Sequence, residues 1–136
     1  MLVTRNRRRR VVVLEEDPNM RSLLCGAAQA HGMLGVPAGS YAAARAKLRW
    51  FQANAVLMDF ELGEWAAHRR LLRELVVAGV PAVLRASQVE MALRRVGLTA
   101  PVVHKRAPHR ELFTAIADAI DTRRLGRGGQ EDWSWQ

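Results

Sequence analysis

The chain has 136 residues, 49% of them hydrophobic, which suits one compact domain with a real core and is short for two. Lysine and arginine number 21 against 13 aspartate and glutamate, a formal net charge of +8 that makes nucleic acid or acidic protein surfaces conceivable partners without bearing on the fold. The single cysteine, Cys25, excludes an intramolecular disulfide framework and a multi-cysteine metal site, in keeping with a reducing cytoplasm.

The opening "RNRRRRVVVL" has the order of a secretory signal, basic then apolar, but only Val11 to Leu14 follow before Glu15, against the roughly 7 to 15 apolar residues such a core needs. No apolar run approaches the ~18 residues of a membrane span, so a soluble cytoplasmic protein is expected. Residues 1–10 read as a basic arm. Arg7 to Arg10 could touch phosphates, but no recognition helix or base-stacking aromatic pattern accompanies them, so nucleic acid is not an expected partner.

Short apolar runs then alternate with helical patterns. Val11–Leu14 reads as a first strand. Asp17-Pro18 opens a helix with a capping side chain and a first-turn proline, and Met20, Leu23, Leu24, Ala27 and Ala28 recur on one face of it. Leu34–Ala38 is a second strand. Ser40 starts a second helix with Tyr41, Ala44, Leu48 and Phe51 on one face. Ala55–Met58 is a third strand, followed by a helix carrying His68, Leu71, Leu72, Leu75 and Val76. Val80–Leu84 is a fourth strand and Val89, Leu93 and Val96 mark a short helix. Pro101–His104 is a fifth strand, before a helix marked by Leu112, Phe113, Ile116, Ala119 and Ile120. Strands that are apolar without alternation are those of a parallel sheet buried on both faces, so the expected fold is α/β, with five βα units over residues 11–124. Residues 125–136, with Gly126, Gly128 and Gly129, read as a flexible tail whose Trp133 and Trp135 are either a docking peptide or unstructured.

The polar residues fall at the strand ends. Glu15, Glu16 and Asp17 follow the first strand, Asp59 the third, Arg85 the fourth and Lys105 the fifth. Open α/β sheets place ligand crevices beyond those carboxyl ends, and in a strand order 2-1-3-4-5 the acidic cluster and Asp59 are neighbours at the switch point. Adjacent carboxylates repel unless a cation sits among them; the plainer reading of the cluster is a helix start enriched in acids. Lysine occurs only at Lys47 and Lys105, so a lysine ending the fifth strand of an arginine-rich chain points to a need for a compact ammonium. Arg85 reads either as a loop arginine or as a guanidinium pairing with Asp59 and its acidic neighbours. Cys25 reads as inert core, and the histidines have no ligand spacing.

Over residues 11 to about 122 the chain resembles a bacterial response-regulator receiver domain of the single-domain chemotaxis type. "EEDPN" after the first strand, Asp59 after the third and Lys105 after the fifth carry the resemblance, with 43 residues from Glu16 to Asp59. It implies a flavodoxin-like five-stranded sheet of order 2-1-3-4-5 with five helices. It also implies a non-enzymatic response regulator in two-component phosphorelay signalling, accepting phosphate at Asp59. Glu15, Glu16 and Asp59 would hold Mg²⁺ with the backbone carbonyl of Glu61, and Lys105 and Arg85 would contact the phosphoryl group. A histidine kinase or phosphotransfer protein would supply it. Output would run by contact with a downstream protein, and the fourth and fifth helices would serve for partner binding or a homodimer. The pattern also departs from the family. Glu16 replaces the usual Asp, Arg85 the hydroxyl residue (Ser87 comes two positions late), Arg106 the proline after the lysine, and Val102 the aromatic switch residue. Asp59 to Lys105 is shorter than usual. These departures make a phosphorylation-independent interaction module the alternative reading.

Overall fold

The computed structural model describes residues 8–61, 65–96 and 100–134, with side chains as far as residue 123. Arg7, Trp135 and the side chains of the remaining tail lie outside the described residues. Five strands alternate with five helices: β1 (Arg9–Leu14), α1 (Pro18–Ala30), β2 (Met33–Ala38), α2 (Tyr41–Phe51), β3 (Ala55–Asp59), α3 (Trp65–Ala78), β4 (Ala82–Ala86), α4 (Val89–Val96), β5 (Val102–His104) and α5 (His109–Ser134). All strand pairs are parallel, and the order is β2-β1-β3-β4-β5, as the alternating pattern and the resemblance lead one to expect.

The sheet separates two cores because successive side chains of a strand point to opposite faces. Val12, Leu14, Val56, Met58 and Leu84 meet Ala44, Leu71, Leu72, Leu75 and Val96 on the α2–α3–α4 side. Val11, Val13, Leu57 and Val83 meet Leu24, Ala28, Phe113, Ile116 and Ile120 on the α1–α5 side. Every residue of β3 and β4 is buried, which is why those runs show no polar alternation.

Local chemistry fixes the ends. The Asp17 carboxylate accepts from the Asn19 N–H at the start of α1, and the Ser40 hydroxyl accepts from Ala43 N–H at the start of α2. Several boundaries differ from those predicted. β1 begins at Arg9, whose guanidinium pairs with Asp121 on α5 at 2.7 Å; Arg10 donates to the Phe51 carbonyl at 2.7 Å. The end of the supposed basic arm is therefore strand, with its charges used inside the domain. β4 starts two residues later than the sequence suggested: the Val80 N–H still bonds to the Leu75 carbonyl of α3, and Pro81 joins the sheet only through its carbonyl, which accepts from the Val56 N–H. The backbone of α5 stays helical to Ser134, beyond the boundary expected at 124. Each added residue of an existing helix gains one hydrogen bond, so a helix anchored by Phe113, Ile116 and Ile120 propagates past those anchors. The apolar faces are narrower than the spacing implied: Leu23, Val76 and Leu93 are exposed, and on α4 the sheet is met by Ala92 and Val96 instead.

α1 lies so close to β2 that a Cβ on Gly35 would sit 2.8 Å from the Cys25 Cα. The backbone would have to move. Gly35→Ala is expected to cost about 1–3 kcal/mol, seen as a lower urea midpoint with an unchanged m-value.

Candidate functional site

Parallel strands deliver their carboxyl ends to one edge, and the polar residues gather there. Asp59 is the last residue of β3 and is only 9% exposed. Its Oδ1 accepts from the Glu61 N–H at 3.1 Å and from Lys105 Nζ at 2.9 Å. Lys105 also donates to Glu61 Oε2 at 2.8 Å, and the other Glu61 oxygen accepts from the Ser87 hydroxyl at 2.7 Å and the Ser87 N–H at 3.0 Å. One ammonium therefore joins two carboxylates, and Ser87 fixes the second.

Arg85 is within β4, directly opposite Asp59 in the strand register, and not beyond the strand end as predicted. Of its expected partners, Asp59 and the acidic neighbours, the one it meets is Glu15, at 3.3 Å from Nη1 to Oε1, with both side chains over nine-tenths buried. Glu15 follows β1, two strands away, and adjacent strands are ~4.8 Å apart, so only a side chain as long as arginine spans β3 to reach it. The second Glu15 oxygen accepts from the Asp17 N–H at 3.1 Å. Arg85 also approaches the Met20 sulfur at 3.9 Å, so α1 closes over the guanidinium.

Glu16 does not join this cluster. Its side chain is exposed, while Arg21 donates to its carbonyl at 3.3 Å and to the Glu15 carbonyl at 2.8 Å. The structure thus brings together Glu15, Asp59, Arg85 and Lys105 and leaves Glu16 at the rim. Two participants were missed as side chains. Glu61 figured only through its carbonyl and Ser87 was discounted for its position; an acid two residues past β3 and a hydroxyl one residue past β4 were the signals available.

The electrostatics follow from burial and partners. Burial raises the Glu15 carboxyl, and the nearby Asp59 adds to this; the Asp17 N–H, Arg85 and Lys105 recover only part of it. Burial would also raise Glu61, but the bonds from Lys105 and Ser87 prevail and hold it at about 2. Burial works against the Lys105 ammonium, yet its two carboxylates raise it above the ordinary lysine value. Behind the site His68 is 1% exposed, with its ring stacked on Trp65 and edge-on to Phe60 and Tyr41, and burial lowers it.

Mg²⁺, which the resemblance implies, needs carboxylate oxygens free to approach at about 2.0–2.1 Å in an octahedral shell. Both Glu15 oxygens are engaged, Asp59 Oδ1 accepts two donors, and Glu16 stands apart. Among the described residues no three His, Cys, Asp or Glu side chains are grouped to hold a metal. The residues in this arrangement do not fit the ion; the positive charge beside the carboxylates is Arg85 and Lys105.

No family model matches the sequence, and no curated protein matches it. Solved structures do. NtrX from Brucella abortus in complex with ADP superposes with a TM-score of 0.77 at 19% identity over 92% of this chain, which spans 29% of that protein's length. A response regulator receiver domain protein (CheY-like) from Methanospirillum hungatei JF-1 gives 0.73 at 15% identity, over 88% of this chain and 99% of the other. The signal receiver domain of a Luxo repressor protein from Vibrio parahaemolyticus gives 0.73 at 13%, over 89% and 96%. The chain has the receiver-domain fold.

Two expectations test the site. Arg85→Met leaves Glu15 buried without its cation and should cost about 3–5 kcal/mol, whereas Glu15→Gln with Arg85→Met should cost far less. Run with added Mg²⁺, the wild-type melt should not move. Glu61 titrates at about 2 in the fold against 4.5 ordinarily, so its contribution is present above pH 4.5 and lost as pH falls toward 2. Urea titrations across that window should show a shallower acid loss for Glu61→Gln. Glu15 acts in the opposite sense, since a raised carboxyl favours the fold when protonated.

Proposed function

We propose that this chain is a receiver module in phosphoryl signalling and that Asp59 is its acceptor. The observation that carries the reading is the Asp59–Lys105 pair, an ammonium 2.9 Å from a strand-end carboxylate at the sheet's carboxyl edge. In the proposed step an Asp59 oxygen attacks phosphorus of a phosphohistidine on a kinase or phosphotransfer protein. The P–N bond breaks, and the departing imidazole takes a proton from solvent, leaving an acyl phosphate on Asp59. Lys105 moves from carboxylate to phosphoryl oxygen. Arg85, one strand across from Asp59, neutralises charge from the other side, so no step is routed through a metal. The role is that of an acceptor and signal carrier, without turnover of a substrate. Output would run by protein contact on the α4–β5–α5 face; on α4, Met91, Leu93 and Arg94 are exposed. No helix among the described residues is long and apolar enough to cross a membrane.

The Arg85–Glu15 pair favours a second reading, an interaction module that works without phosphate, because the guanidinium already balances a buried carboxylate. Incubation with acetyl phosphate and intact-mass analysis separates the two. The first reading expects one phosphate, labile to hydroxylamine, absent in Asp59→Asn and slower to form in Lys105→Ala. A wild type that takes up none establishes the second reading.

A further inference from the structure

On the face opposite α1 and α5, helices α3 and α4 leave a groove of about 510 Å³ between them. Its apolar wall is Leu72, Val76, Val77 and Val96, and Val77 is 89% exposed. Arg69, Arg73 and Arg95 stand along it. Some arginines elsewhere on the surface find carboxylates, as in Arg9–Asp121, Arg45–Glu74 and Arg94–Glu90, while others such as Arg49 and Arg110 do not. The three along the groove pair with no carboxylate among the described residues, and Arg95 instead lies over the Trp65 ring at 5.5 Å. An apolar trough with three uncompensated guanidinium groups calls for an occupant that is acidic and carries a large apolar anchor.

The sequence itself holds such a segment. Residues 131–135 read "EDWSW", two carboxylates directly before two indoles, in a chain of net charge +8. The segment belongs to α5, which packs with α1 on the other face of the sheet, so its natural recipient is another molecule. We propose that the α3–α4 groove is a self-association site that takes the C-terminal segment of a second copy, with Trp133 or Trp135 in the trough and Glu131 and Asp132 against the arginines. Two grooves facing each other would repel, since both are cationic; a groove receiving a tail would not. Such a head-to-tail contact closes into a two-fold pair when the exchange is reciprocal. It leaves the α4–β5–α5 face to other partners, and it does not depend on the chemistry of Asp59.

Sedimentation equilibrium of the full chain tests it. Association should rise with protein concentration and weaken with salt, and Arg73→Glu with Arg95→Glu, or Trp133→Ala with Trp135→Ala, should each weaken it at least about tenfold. Glu131→Lys with Asp132→Lys should also lose it, and mixing that variant with the groove variant should restore hetero-association. The substituted groove positions are exposed, so unchanged far-UV circular dichroism controls for folding. In a chain with Trp133→Phe and Trp135→Phe, the peptide QEDWSW with 5-fluorotryptophan at both indoles should saturate in ¹⁹F spectra, and the groove variant should abolish this. A chain that is monomeric at every concentration, association that neither set of substitutions touches, or a peptide that never saturates overturns the proposal.

Discussion

Arg85 reaching under β3 to Glu15 is the constraint on which the site's arrangement depends. A buried carboxylate without a partner is costly, and a buried guanidinium without one is costlier still; together they fix each other's positions more than they add stability. With Glu15 drawn to Arg85, Lys105 is left to Asp59 and Glu61, and Ser87 turns to Glu61 rather than to the aspartate. Three carboxylates face two cations, which leaves one net negative charge in a partly desolvated edge. An ion such as Mg²⁺ would have to displace a guanidinium that cannot lose its proton, and the carboxylate it would gain is already bonded through both oxygens.

The chain's large positive charge is distributed to different ends. Arg9 and Arg10 stitch β1 to α5 and to the end of α2; Arg21 caps the carbonyls that leave β1; Arg85 is core. Among the described residues, arginines without a carboxylate partner include Arg49, Arg70, Arg106 and Arg110 as well as Arg69, Arg73 and Arg95 along the α3–α4 trough. Part of the basic composition therefore serves the fold, as long hydrogen-bonding struts within the domain.

Much of this was legible in the sequence. Five apolar runs in register with five amphipathic patterns can be satisfied by few architectures, so strand number, parallel pairing and the edge bearing Asp59 and Lys105 followed directly. Arg85 shows where pattern reading stops. A charged residue reads as the end of a strand, yet Arg85 is interior to β4 because its aliphatic stem lies among buried residues and its head finds Glu15 two strands away. That partnership depends on side-chain length across a sheet, and no local periodicity encodes it. Glu16 is the converse. Its neighbour turned inward and it did not, since successive residues leaving a strand face opposite ways. Leu23, Val76 and Leu93 were misplaced for a simpler reason: a helical face of about 100° admits fewer side chains than the spacing allows.

The aromatic residues also depart from the pattern of the receiver domains that the sequence resembles. Val102 on β5 offers no ring, while Phe60, Trp65 and Tyr41 surround His68 between α2 and α3. The Asp59 charge is felt by both Tyr41 and His68: it raises the phenol further after burial has done so, and it opposes the burial that lowers the imidazole. A change of charge at Asp59 therefore acts on the α2–α3 side as well as on Lys105 and Glu15. His68 Nε2 has no hydrogen-bond partner among the described residues, while Nδ1 meets the Tyr41 hydroxyl at 3.4 Å, so the ring is held by one long bond and by stacking. Trp65, stacked on that ring, carries Arg95 of α4 on its own face. From Phe60, the residue after Asp59, ring contacts thus run through His68 and Trp65 to Arg95 at the α3–α4 groove.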